Sequence, residues 1–309
     1  MNATWSEKLE QLRRTRYKYH NDDYLEFLVD RVWKLHQPCR LLDCGCGFGY
    51  MGLKLLPLLP AGSTYTGVDE AVELLDEARA IFADLPYETN FIEADIHAVP
   101  LEDDTFDVAL SHTVLMHLEH PQKALAEMVR LTRPGGLVIT CESNWNAVNA
   151  LTHIHELDKL DTTDLGFLQR LFARDHKATG RDGNIGAKMP LLLHQAGLKN
   201  IDARITDAVR CLFPPLDTDE KKELYQSFRA DGLGLNLDAE REGQLRARFV
   251  ERDFTPEEVE GHIRKEKYLA DHFVERGEES HIVFPLAMMF SFGEVDKVWA
   301  LCYHMDRKK

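Results

Sequence analysis

The sequence predicts an α/β fold of the doubly wound, Rossmann-like type, preceded by a helical segment and carrying a helical insertion near its end. Three observations lead there. The apolar run Leu41-Leu42 stops at Asp43 and is followed by closely spaced glycines and a helical pattern, the layout of a ligand-binding strand, loop and helix. Further apolar segments stop at Asp69 and at Asp95, with a helical stretch, Ala71 to Ala83, between them; such alternation builds a parallel sheet. The chain has 309 residues, 44% of them hydrophobic, enough for one α/β domain of ordinary size plus a substantial appendage.

The glycine stretch is the centre of the reading. Gly45, Cys46, Gly47 and Gly49 form a loop that must turn sharply and admit a ligand to its backbone, which side chains would obstruct. Gly47, Gly49 and Gly52 also satisfy the spacing of a dinucleotide fingerprint, so the spacing leaves two cofactors open. Asp43 separates them. A carboxylate at the strand end repels a diphosphate, whereas S-adenosylmethionine (SAM) brings an ammonium and a sulfonium and no phosphate.

Composition excludes several classes of partner. A net charge of −15, offset by no basic cluster beyond Arg13-Arg14-Thr15-Arg16 and Arg307-Lys308-Lys309, argues against nucleic acid and anionic membrane surfaces. The first residues lack a signal-peptide pattern, and the longest apolar run, Ile282 to Phe292, is too short to span a bilayer. A cytoplasmic location is expected. The cysteines, Cys39, Cys44, Cys46, Cys141, Cys211 and Cys302, form no paired C-x-x-C units and read as reduced thiols, with no metal site expected.

Taken in order, residues from about Ser6 to Trp33 carry helical spacing broken near His20-Asn21-Asp22-Asp23, with Asn21 or Asp22 as an N-cap. Tyr17, Tyr19 and His20 are candidates to cap a cofactor pocket, or simply pack the helices onto the domain. The second strand, Tyr65 to Val68, ends at Asp69, with Glu70 beside it; Asp69 stands where the tip of a second parallel strand reaches a ribose. The third, Asn90 to Glu93, leads to Asp95 and Ile96, an acceptor and an aliphatic surface suited to adenine. The fourth, Phe106 to Ser111, is followed by His112 and His117. A helix from Pro121 to Thr132, a turn at Arg133-Pro134-Gly135-Gly136 and a fifth strand, Leu137 to Cys141, come next.

This order of motifs, the acid and glycine loop, Asp69, Asp95, Phe106-Asp107 and Arg133-Pro134-Gly135-Gly136, resembles the class I SAM-dependent methyltransferases, and within them the quinone-biosynthesis-like small-molecule branch. The likeness is specific over roughly Arg40 to Glu142 and touches Ile185-Gly186 to Leu198. It implies a seven-stranded sheet with a reversed last strand. It also implies SAM held by Asp43 and the glycine loop, Asp69 on the ribose, Asp95 and Ile96 at the adenine, and Ser111 near the methionine end. S-adenosylhomocysteine would be the product.

Beyond the core, a sixth strand is expected over Ile201 to Ala208 and its reversed partner at about Pro285 to Phe292. The intervening 214–280, rich in charge and helix formers, reads as a helical lid over a small-molecule acceptor or as a homodimer surface. The expected divisions are an N-terminal helical cap, 1–37; a SAM-binding core, 38–213; the insertion, 214–280; and the last strand and tail, 281–309. His112, His117 and Glu142 are the candidates for a general base, with no single residue assigned, because methyl transfer from a sulfonium needs mainly alignment. A regulatory or scaffold protein that binds SAM and holds a partner with the insertion is the alternative reading.

Overall fold

The computed structural model describes residues 18–297; Tyr17, the first part of the predicted N-terminal helix and the C-terminal tail lie outside the described residues. Helix α1 (Asp22–Phe27) runs into a π-helical turn at Leu28–Val32. Asn21 occupies the N-cap position, but its side chain does not cap. It donates instead to Asp207 at 3.0 Å and accepts from Arg210 at 2.5 Å, fastening the helix start to residues 186 and 189 positions later.

The core alternates β1 (Arg40–Cys44), α2 (Tyr50–Leu55), β2 (Thr64–Asp69), α3 (Val72–Phe82), β3 (Glu88–Glu93), β4 (Phe106–His112), α4 (Pro121–Leu131) and β5 (Thr132–Glu142). After β5 come α5 (Trp145–Leu151), the short β6 (His153–Ile154), α6 (Lys159–Thr162), α7 (Leu165–Thr179) and α8 (Met189–Gln195). The chain continues through β7 (Leu198–Ile205), β8 (Val209–Leu212), α9 (Asp219–Ala230), α10 (Ala239–Glu251), α11 (Pro256–Arg276), β9 (Ile282–Pro285) and β10 (Met289–Val295).

Seven strands form one sheet in the order β3-β2-β1-β4-β5-β10-β7, and β10 runs antiparallel to both its neighbours. The predicted reversed last strand is therefore present. Period-two alternation sends Leu41, Tyr65, Val108, Ile139 and Phe290 to one face, against α1, Trp33 and α2, and Leu42, Val68, Ala109 and Val138 to the other, against α4 and α8. Both faces are covered, so the strands read as apolar runs.

Three local expectations are corrected. The turn predicted at Arg133 to Gly136 is a bulge inside β5: Phe106 pairs with Thr132 and Val108 with Leu137, so the four residues between are thrown out of the ladder. The predicted sixth strand, 201–208, is β7 at 198–205, and 209–212 departs as β8. The apolar run Ile282 to Phe292 is two strands in two sheets. β9 joins β6 and β8 in a three-stranded sheet of order β6-β9-β8, and β10 enters the main sheet after a bend at Ala287, φ 40°. Hydrogen bonds from Leu286 N to Ala208 O and from Thr206 N to Met288 O fix the crossing.

The second layer gathers two excursions. Phe167 and Leu171 of α7, which follows β5, pack with Phe249, Phe254, Val259 and Ile263 of the 214–280 segment. Both excursions are rooted at the same end of the sheet, because Met289 at the start of β10 pairs with Glu142 at the end of β5 and with Ile205 at the end of β7. That is the carboxyl edge of the parallel strands, where Asp43 and Asp69 also lie.

Candidate functional site

The glycine loop leaves β1 and is pinned at once to the neighbouring strand: Gly45 N and Cys46 N both donate to Val68 O, at 2.7 and 3.0 Å. Gly45 has φ 77° and Gly49 has φ 83°, in the left-handed region where a side chain is strained. There is no room for one either. A Cβ on Gly45 would lie 2.4 Å from Val114 Cγ2, and one on Gly49 2.6 Å from Phe82 Cε2.

Asp43 is buried and accepts from Tyr65 Oη at 2.7 Å. Tyr65 is the in-register neighbour of Leu41 on β2, so period two brings its ring to the face Asp43 occupies. Burial pushes the tyrosine's own pKa well up, keeping it a donor. Sequence reading missed Tyr65, whose signal would have been a polar aromatic across from the acid-ended strand.

Asp69 is buried as well, and both its oxygens serve the loop: Oδ2 accepts from Gly47 N at 2.8 Å and Oδ1 from Ala71 N at 2.9 Å. Burial raises its pKa in spite of these bonds. It ties the glycine loop to the start of α3, and Glu70 beside it is exposed. Asp95 keeps 63% side-chain exposure, and its Oδ1 accepts from the backbone and ring of His97 at 2.8 and 2.6 Å. The backbone bond from His97, with the ring contact, holds its carboxyl below the usual range. Ile96 is buried on the α4 face of the sheet.

Asp43, Gly45, Cys46, Gly47, Phe48 and Tyr50 line a narrow cavity together with Met51 and His112. Burial drives the Cys46 thiol well up, so it is neutral there. Ser111 is fully buried and its hydroxyl has no hydrogen-bond partner among the described residues.

The base candidates separate. His112 lines the cavity, and its Nε2 lies 2.9 Å from His20 Nε2; one ring must donate and the other accept. His20 thus touches a residue of the cavity wall, with Tyr19 and Tyr50 also against His112 at ring separations of 6.1 and 5.6 Å. His117 sits on the 3-10 turn Leu115–His117 and does not line that cavity. Glu142 is corrected as a base candidate. It is fully buried, and its carboxylate accepts from the backbone N–H groups of Val114, Leu115 and Met116 at 3.1, 2.9 and 3.3 Å. These bonds occupy three of the carboxylate's roughly four lone-pair sites and turn it to the 114–116 backbone. Gly186 lets another segment close on this strand end, since a Cβ there would lie 2.5 Å from Glu142 O.

A donor set unforeseen in the sequence is nearby. His20, His112 and Cys141 place two imidazole nitrogens and a thiol within 4.8 Å of one another, the group among the described residues that could hold a metal ion. His112 and Cys141 are in-register neighbours on β4 and β5, which is why they share a face.

Residues 42–140 match the family described as a methyltransferase domain. The chain is 32% identical over 157 residues to an uncharacterized 37.1 kDa protein in transposon TN4556 of Streptomyces fradiae, a match covering 50% of this chain and 42% of that protein. It is 35% identical over 112 residues to an uncharacterized methyltransferase of Schizosaccharomyces pombe, covering 34% of this chain and 40% of that one. The chain thus spans about two fifths of the length of these relatives. Among solved structures it resembles phosphoethanolamine N-methyltransferase 2 of Haemonchus contortus, in complex with phosphomonomethylethanolamine and S-adenosylhomocysteine. There the TM-score is 0.50 and the identity 14%, over 95% of this chain and 61% of that one. With its acid and glycine loop set in a seven-stranded sheet of this order, the segment 42–140 is a class I SAM-dependent methyltransferase domain.

Proposed function

We propose that the protein transfers a methyl group from SAM to a small-molecule acceptor. The observation that carries this is the acid-ended strand running into a loop whose Gly45 and Gly49 can be nothing but glycine, lining one cavity with Asp43 and His112. The fit to SAM is supported by Ser111, whose buried hydroxyl is unsatisfied by the described residues, and by Gly45 and Gly47, which bring bare backbone to the cavity wall. In this reading Asp43, steadied by Tyr65, faces the cationic end, with Gly45, Cys46, Gly47, Gly49 and Ser111 around it. Asp69 and Glu70 serve the ribose, and Asp95 and Ile96 the adenine. Tyr17 belongs to the same proposal.

When bound, SAM supplies a methyl on a sulfonium whose displacement leaves a neutral thioether. The chain's task is then to orient the acceptor, exclude water and take a proton where the acceptor atom carries one. The slot by the glycine loop measures about 40 Å³, and the exposed Asp95 leaves the adenine side open. His112 is the group placed to receive a proton. The His20, His112 and Cys141 set is not used, because a dication there would oppose the sulfonium. The excursions after β5 and β7, rooted at the same edge, form the lid over the acceptor.

Isothermal titration with SAM, S-adenosylhomocysteine and NAD tests the proposal, followed by turnover with a panel of acceptors. Affinity for the first two and none for NAD is expected. NAD binding without SAM binding would reverse the reading of the loop.

A further inference from the structure

A second cavity, of about 190 Å³, lies inside the cap between α5, α6, α11 and the turn after α9. Its walls are mixed: Trp145, Leu157, Leu233 and Phe284 give an apolar side, and Lys159, Asp231, His262 and Glu266 are among the polar groups. Its charged groups differ in what they already hold. Lys159 gives its ammonium to the carbonyls of Asn149 and Thr152. Asp231 is paired with Lys18 at 2.7 Å. Glu266 has no lysine or arginine within ion-pair distance among the described residues; its near polar neighbour is His262 Nε2 at 3.5 Å, and Arg241 acts on it from farther off.

Glu266 lies deep enough in the cap for burial to raise its pKa, yet its side chain keeps 41% exposure, and the space it borders is the cavity. His262 is 6% exposed, and its Nδ1 has no hydrogen-bond partner among the described residues. Burial holds its pKa down to about 4, so the ring is neutral at pH 7. The cavity thus presents a carboxylate with no lysine or arginine at ion-pair distance beside an apolar wall, an arrangement that favours a cation bearing N–H donors and penalises an anion.

We propose that this cavity binds a small amine with an apolar or aromatic body, its ammonium held by Glu266 and its hydrocarbon part by Trp145, Leu233 and Phe284. The cavity lies on the same side of the fold as the glycine-loop slot. Lys18, which pairs with Asp231 on the cavity wall, is two residues from His20, which contacts His112 on the slot wall. That the amine is the methyl acceptor rests on the methyl-transfer reading, whereas its binding does not.

The test is titration of the full chain at pH 7.5, without SAM, with 2-phenylethylamine, its neutral counterpart 2-phenylethanol and the anion phenylacetate. The amine should bind roughly tenfold or more tightly than the alcohol, and phenylacetate should not bind. Glu266→Gln should abolish the preference for the amine. Leu233→Trp, which fills the cavity from the other side, should abolish binding of both amine and alcohol, and SAM titration should be unchanged in each variant. Equal affinity for amine and alcohol, or an unaltered preference in Glu266→Gln, overturns the assignment. Amine binding in a protein that fails to bind SAM leaves the cavity assignment standing and removes the methyl-transfer reading. SAM binding without amine binding does the reverse.

Discussion

Gly45→Ala should destabilise the protein by two separable effects. Gly45 has φ 77°, and holding an alanine in the left-handed region costs about 1–2 kcal/mol. The new Cβ would stand 2.4 and 2.8 Å from the two γ carbons of Val114, an overpacking worth about 1–3 kcal/mol. The expected total is about 2–5 kcal/mol. Val114→Ala removes both offending methyls and leaves the backbone term, so a double-mutant cycle should recover about 1–3 kcal/mol as coupling and no more. Urea denaturation of the four proteins at constant m gives the cycle, and SAM titration of the folded variants reports whether the loop still accepts ligand. A stability unchanged in Gly45→Ala, or effects that simply add in the double variant, would refute the account of the loop as backbone held against Val114.

Asp69→Ala should weaken SAM binding by about 1–3 kcal/mol, by removing an ionised acceptor and freeing the loop amide of Gly47 that it now holds; unchanged affinity in the folded variant would make Asp69 a loop tie only. Stability should fall on acidification through His262. The unfolded chain protonates near the ordinary 6.5, whereas burial holds the folded residue near 4, so between these values the unfolded state binds the extra proton. The loss approaches about 3 kcal/mol at the acid end, and it should be missing from the pH profile of His262→Leu measured by denaturation. Glu142→Gln should destabilise the protein by about 1–3 kcal/mol through the turn it holds at 114–116, without altering the shape of the pH–rate profile; a lost basic limb would restore Glu142 as a base. His112→Asn should depress turnover by on the order of 10²–10⁴ if it takes the proton, while His117→Gln should stay close to wild type; the opposite ranking in a rate assay would reverse their placement.

The sheet and its ligand edge were legible in the residues because each strand announces itself locally. Leu41-Leu42 stopping at Asp43, Tyr65 to Asp69 and Phe106 to Ser111 are buried on both faces, so their apolar runs and terminal acids need no partner to be recognised. The insertion was legible as helical from its amphipathic spacing, and α9, α10 and α11 occupy it. Boundaries were less so. Ile282 to Phe292 is continuously apolar because it is buried in two successive sheets, and nothing within the run marks the bend at Ala287.

What only the tertiary structure decided are the contacts between residues far apart in sequence. Glu142 looked like a crevice acid, and its meeting with three amides 26–28 residues earlier depends on β4 and β5 lying side by side. His20 reaches His112 across 92 positions, Tyr65 meets Asp43 only through strand register, and Glu266 faces a cavity whose walls come from both excursions. Local sequence determines periodicity, caps and strand ends, since these follow from interactions a few residues long. Which polar group is satisfied, and by whom, is settled when distant segments are desolvated together, and that is a property of the packed chain.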